Sequence, residues 1–137
     1  MSEPMQILLA EDNPEDASLL REVLLDTKIA HELAVVDDGM DAICYLRQLG
    51  KFAHSPKPDL LLLDLNMPRM NGFKVLEELS AAGPRGLAIV VLTVSEDQEE
   101  IVKAMQLSMN YYIRKPVDLV QLTELLVLVG EMWRVQH

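Results

Sequence analysis

Five short apolar stretches recur along the chain, and helix-like segments with an apolar face follow them. The short stretches suit strands, and the segments between them suit helices laid on a sheet. Strands are predicted near 6–10, 32–36, 59–63, 88–92 and 111–114, and helices near 14–26, 40–49, 72–80, 96–107 and 118–134. The third strand carries the unbroken run Leu60-Leu61-Leu62-Leu63 between Pro58 and Pro68, the pattern of a strand buried on both faces. The first helix has a defined start: Asn13 as N-cap, Pro14 at the first helical position, then Glu15 and Asp16 in the electropositive first turn. Its Leu20, Val23 and Leu24 share one face, as a sheet-covering helix requires. Alternating strands and helices with short connections predict a doubly wound α/β fold, a parallel sheet covered on both sides through right-handed crossovers.

Composition narrows the class. The 137 residues suit one domain, here taken as 1–137, and half of them are apolar, which excludes a disordered chain. A formal net charge of -10 argues against a nucleic-acid partner, since most of the surface would repel phosphates. No apolar stretch is long enough to span a bilayer, and the start lacks the basic and apolar character of a secretion signal. A cytoplasmic protein without a membrane partner is therefore expected. Cys44 is the single cysteine and reads as a small buried hydrophobe. His31, His54 and His137 read as turn, loop and terminus residues. The segment 50–58, polar with two prolines, reads as an exposed loop.

Chemistry gathers at the strand ends. Asp64 closes the third strand, Glu11 and Asp12 follow the first, Thr93 follows the fourth and Lys115 follows the fifth. In a parallel sheet these ends share one edge, where open α/β folds keep their ligands. Three acids at that edge repel one another unless a cation lies among them. Mg²⁺ suits hard oxygen donors and keeps several waters, so Asp12, Asp64 and the Asn66 carbonyl are candidate ligands, with Glu11 acting through water. Asp64 also suits a nucleophile that accepts a phosphoryl group. Mg²⁺ and the Lys115 ammonium would neutralise that group, and the Thr93 hydroxyl would donate to it. Lys115 precedes Pro116, and a cis bond there would aim the lysine inward.

Glu11-Asp12, Asp64-Leu65-Asn66-Met67-Pro68 with Gly72, Thr93, and Tyr112-Ile113-Arg114-Lys115-Pro116 together resemble the receiver domain of two-component response regulators. The resemblance spans essentially the whole chain. It implies a flavodoxin-like sheet in strand order 2-1-3-4-5 with five helices. It also implies Asp64 as phosphoacceptor, with a sensor histidine kinase or phosphotransfer protein as donor. Tyr112 resembles the switch aromatic of the family, turning inward when Thr93 moves toward the phosphate. Several positions depart from the common pattern: Val94 in place of a very small residue, Ser108-Met109 in place of glycine-alanine, and the long 50–58 loop. That loop, the acidic segment from Glu11 to Asp16 and Trp133 are similar to regulators paired with phytochrome-type kinases.

The last predicted helix carries a core stripe of Leu122, Leu125, Leu126, Val129 and Trp133. Val120 and Val127 lie a heptad apart on the opposite face. A helix apolar on two sides usually touches a second partner. The resemblance implies an interaction face made by the fourth predicted helix, the fifth strand and the fifth helix, and a homodimer through it is expected. The chain stops after that helix, so the output is expected to be a downstream effector protein rather than an attached domain or enzyme. A Mg²⁺-dependent small-molecule phosphohydrolase stays open as the alternative. Against it, Asn66 stands where a general acid would be convenient, and no cap encloses a substrate.

Overall fold

The computed structural model describes residues 3–65, 67, 70–82, 86–93 and 111–136. Along the chain run β1 (Met5–Ala10), α1 (Pro14–Asp26), β2 (His31–Val36), α2 (Gly39–Leu46), a 3₁₀ turn (Gly50–Phe52) and β3 (Leu60–Asp64). Then follow α3 (Gly72–Ala82), β4 (Ala88–Thr93), β5 (Tyr111–Arg114) and the C-terminal helix α4 (Leu119–Gln136). The strands form one sheet in the order β2-β1-β3-β4-β5, and every pairing is parallel. This is the expected doubly wound architecture. The helix predicted over 96–107 lies outside the described residues, as do Val94, Ser108 and Met109.

Side-chain alternation along the strands divides the core into two layers. Leu8, Ala10, Leu61, Leu63, Ile89 and Val91 face α2 and α3. Ile7, Leu9, Leu60, Leu62, Val90 and Leu92 face α1 and α4. The central strands β3 and β4 are buried at every position, as a strand covered on both faces must be. In α4, Leu122, Leu125, Leu126 and Val129 are buried against the sheet. The side chain of Trp133 lies outside the described residues.

Three expectations are adjusted. α2 ends at Leu46 rather than near 49, because Arg47 closes it and Gln48 takes a positive φ of 55°. Leu49 is left exposed, and the next segment turns so that the Phe52 ring meets Tyr45 with centroids 5.1 Å apart. The 50–58 segment is otherwise largely exposed, as expected of a loop, and the Phe52 ring ties its 3₁₀ turn to α2. Cys44 is half-buried, and His31 opens β2 instead of forming a turn.

Candidate functional site

The parallel register carries the chemistry to one edge. Ala10 lies opposite Leu63, so Glu11 emerges level with Asp64. Asp64 lies opposite Leu92, and Thr93 lies opposite Arg114, the residue before Lys115. Asp64 and Thr93 are the last residues of their strands, so the sheet itself holds them. The Thr93 carbonyl accepts the Lys115 amide at 2.9 Å, which extends the β4–β5 ladder to the lysine. The Lys115–Pro116 peptide is cis.

Gly72 completes the frame. A Cβ there would lie 2.6 Å from both the Asp64 carbonyl oxygen and Leu65 Cα. The Gly72 amide donates to the Leu65 carbonyl at 2.9 Å. Only a residue without a side chain lets α3 start this close to the strand that ends in Asp64.

Glu11, Asp64 and Thr93 are buried, whereas Asp12 is exposed. The Lys115 ammonium contacts the carboxylates of Glu11, Asp16 (3.2 Å) and Asp64 (3.4 Å). Burial and the adjacent Asp64 push the Glu11 carboxyl up to about 7, against the opposing pull of Lys115. Burial alone would push the Lys115 ammonium down. The hydrogen bond to Glu11, then the charges of Asp64 and Glu11 and the contact with Asp16, outweigh it and hold the lysine above its usual value. One ammonium thus serves three carboxylates.

This arrangement fits a divalent cation. Glu11, Asp12 and Asp64 each offer a carboxylate oxygen, all within 4.8 Å of one another. Hard oxygens at about that spacing can close around an ion with metal–oxygen distances near 2.1 Å, as Mg²⁺ requires. Asp12 keeps the cluster open to solvent, so an ion entering there retains waters. A second acidic group, Asp37, Asp38 and Asp41, lies after β2. There Asp38 is occupied as the N-cap of α2, accepting the Asp41 amide at 2.8 Å.

Of the residues singled out from sequence, Glu11, Asp12, Asp64 and Lys115 are brought together, and Thr93 ends the neighbouring strand. Asn66 lies outside the described residues. Tyr112 is 40% exposed on the edge strand β5, away from the core. Val120 and Val127 are exposed at 63% and 48%. The sequence marks Asp16 as a first-turn acid within the acidic segment from Glu11, not as a partner of Lys115. A signal was present in the sequence: Asp16, Leu20 and Val23 recur at helical spacing, which puts an acid on the face that meets the sheet.

A parallel sheet in this order, with helices on both faces and acids converging at its carboxyl edge, defines a flavodoxin-like receiver fold. The chain belongs to the response regulators: the profile of the response regulator receiver domain matches residues 7–127. It is 36% identical to the response regulator Rcp1 of Synechocystis over 131 residues, covering 95% of this chain and 89% of that protein. It is 34% identical to the Escherichia coli nitrate/nitrite response regulator protein NarL over 116 residues, but spans only 50% of NarL. Among solved structures, it is similar to the phosphorylated cyanobacterial phytochrome response regulator RcpA (TM-score 0.80, 37% identity, 98% and 97% of the two chains). The Mn²⁺-bound form of Rcp1 matches with a TM-score of 0.78 and 36% identity, over 95% and 94% of the two chains. Receiver domains are phosphoacceptors of two-component signalling, a family that works with histidine kinases and effectors. Among the described residues, no helix is long and apolar enough to cross a membrane.

Proposed function

We propose that Asp64 accepts a phosphoryl group from a phosphohistidine on a sensor histidine kinase or phosphotransfer protein. The convergence of Glu11, Asp12 and Asp64 within 4.8 Å, beside the Lys115 ammonium, carries this reading. A carboxylate oxygen of Asp64 attacks phosphorus; the P–N bond to the donor imidazole breaks, and the imidazole nitrogen keeps the electron pair. Little covalent help is needed beyond alignment and neutralisation of charge. Lys115 supplies one positive charge at a phosphoryl oxygen, and Thr93 supplies a hydroxyl donor. Mg²⁺, held by Asp12, Asp64 and the Asn66 carbonyl and by Glu11 through water, would neutralise the phosphoryl oxygens.

The protein acts on no separate substrate in this reading; its chemistry is the gain and loss of its own phosphoryl group. The whole chain, 1–137, serves as one receiver unit. The likeness to RcpA across nearly its full length supports a phytochrome-type kinase as donor. Tyr112 serves as the switch aromatic, exposed before phosphorylation and drawn inward as Thr93 moves toward the phosphate. The output is a changed protein-binding face, through a homodimer or a downstream effector rather than nucleic acid or a membrane.

Incubation with Mg²⁺ and acetyl phosphate tests the reading. The wild-type protein should gain the mass of one phosphoryl group, and chelation of Mg²⁺ or Asp64→Asn should abolish the gain. Equal labelling of Asp64→Asn would place the acceptor elsewhere.

A further inference from the structure

We infer that Asp16 is a positioning residue for phosphoryl transfer, holding the Lys115 ammonium in place while the other acids are engaged elsewhere. The inference rests on Asp64 being the phosphoryl acceptor. Lys115 presents three N–H donors, and its partners are Glu11, Asp16 at 3.2 Å and Asp64 at 3.4 Å. Glu11 and Asp64 belong to the converging cluster with Asp12, and Asp16 does not. A cation entering that cluster competes with the ammonium for Glu11 and Asp64. Phosphorylation then converts the Asp64 carboxylate into a mixed anhydride. Asp16 is the partner that neither event removes.

The placement of Asp16 is built into the fold. It stands in the first turn of α1, where the Asn13 side chain accepts the amides of Glu15 at 2.9 Å and Asp16 at 3.3 Å. Ala17, Leu20 and Leu24 then seat α1 on the sheet. Asp16 thereby faces a half-open cleft of about 160 Å³ whose lining includes Glu11, Leu20, Leu92, Lys115 and Pro116. The contact spans 99 residues and ties α1 to the loop after β5. Lys115 has a long flexible stem, so an anchored ammonium needs no search for its place when the phosphoryl group arrives. The Asp16 side chain is 40% exposed, so its ion pair adds little to folding and can be removed without losing the protein.

Asp16→Asn and Asp16→Glu, treated with Mg²⁺ and acetyl phosphate, test the assignment alongside wild type and Asp64→Asn. Asp16→Asn should slow phosphoryl uptake by roughly tenfold to a hundredfold, the upper figure being what about 1 Å of misplacement costs. Mg²⁺ affinity by calorimetry and the urea midpoint should stay at wild-type values, and Asp16→Glu should recover most of the rate. Charge alone predicts the reverse, because removing an anion near the site would speed uptake of an anionic donor. An unchanged or faster rate overturns the inference, as does a slowing matched by loss of Mg²⁺ affinity or of stability, or one that Asp16→Glu does not relieve. Wild type that takes up no label at Asp64 defeats the acceptor reading itself, and the role of Asp16 with it. Normal wild-type labelling with an unaltered Asp16→Asn defeats the role of Asp16 alone.

Discussion

Glu11 is a carboxyl buried beside the Asp64 carboxyl, and Lys115 contacts both. Its proton is held up to about 7 in the fold, against 4.5 as its ordinary value. Between those limits the folded state binds more protons than the unfolded chain. Stability of the metal-free protein should therefore fall as pH rises from about 4.5 to about 7. Lys115, raised above 10.5, contributes stability that is lost only at higher pH, outside this window. Urea unfolding in chelator across the window should show a steeper decline for wild type than for Glu11→Gln, and Mg²⁺ should flatten the wild-type curve. Parallel curves for the two proteins would mean that Glu11 is not the group responsible.

At the scale of elements, the site depends on how closely α3 begins against the end of β3. Gly72→Ala sets two effects against each other. Replacing glycine in a helix gains at most about 1 kcal/mol, and less at its first position. The new Cβ would meet backbone atoms of Asp64 and Leu65 at 2.6 Å, and backbone cannot rotate away. Overpacking of this kind costs about 1–3 kcal/mol. The expected outcome is a net loss of stability, seen in urea unfolding, with slower phosphoryl uptake because Asp64 is displaced. Unchanged stability and uptake would show that α3 can shift without cost. The start of α1 was legible from Asn13, Pro14, Glu15 and Asp16, since capping is local chemistry. The end of α2 was not, because the apolar spacing continues to Leu49 while the backbone turns at Gln48.

For the molecule as a whole, two apolar layers hold the sheet, and α4 contributes to one of them. Leu122, Leu125, Leu126 and Val129 account for its inner face, leaving Val120, Val127 and Leu128 outside. Beside them β5 is a four-residue edge strand with Tyr111 and Tyr112 about two-fifths exposed. Short edges limit unwanted strand pairing, so an interface here would rest on side chains rather than on sheet extension. In the homodimer reading, Val127→Asp should shift sedimentation toward a monomer without loss of phosphoryl uptake. A mass identical to wild type would remove α4 from the interface.

The strand-end acids, the hydroxyl and the lysine were readable in the linear chain because short apolar runs mark where strands stop. The residue that follows such a stop in a parallel sheet must reach the same edge. Alternation of strands and helices likewise determined the layered class. Tertiary structure alone decided which groups touch. Lys115 meets Glu11 across 104 positions and Asp16 across 99, and no local pattern encodes those meetings. Gly72 is a landmark of the family pattern and a helix start in the sequence, but only the fold sets the backbone of Asp64 and Leu65 against it. Such contacts follow from strand order and helix seating, which arise when the two apolar layers close around the sheet.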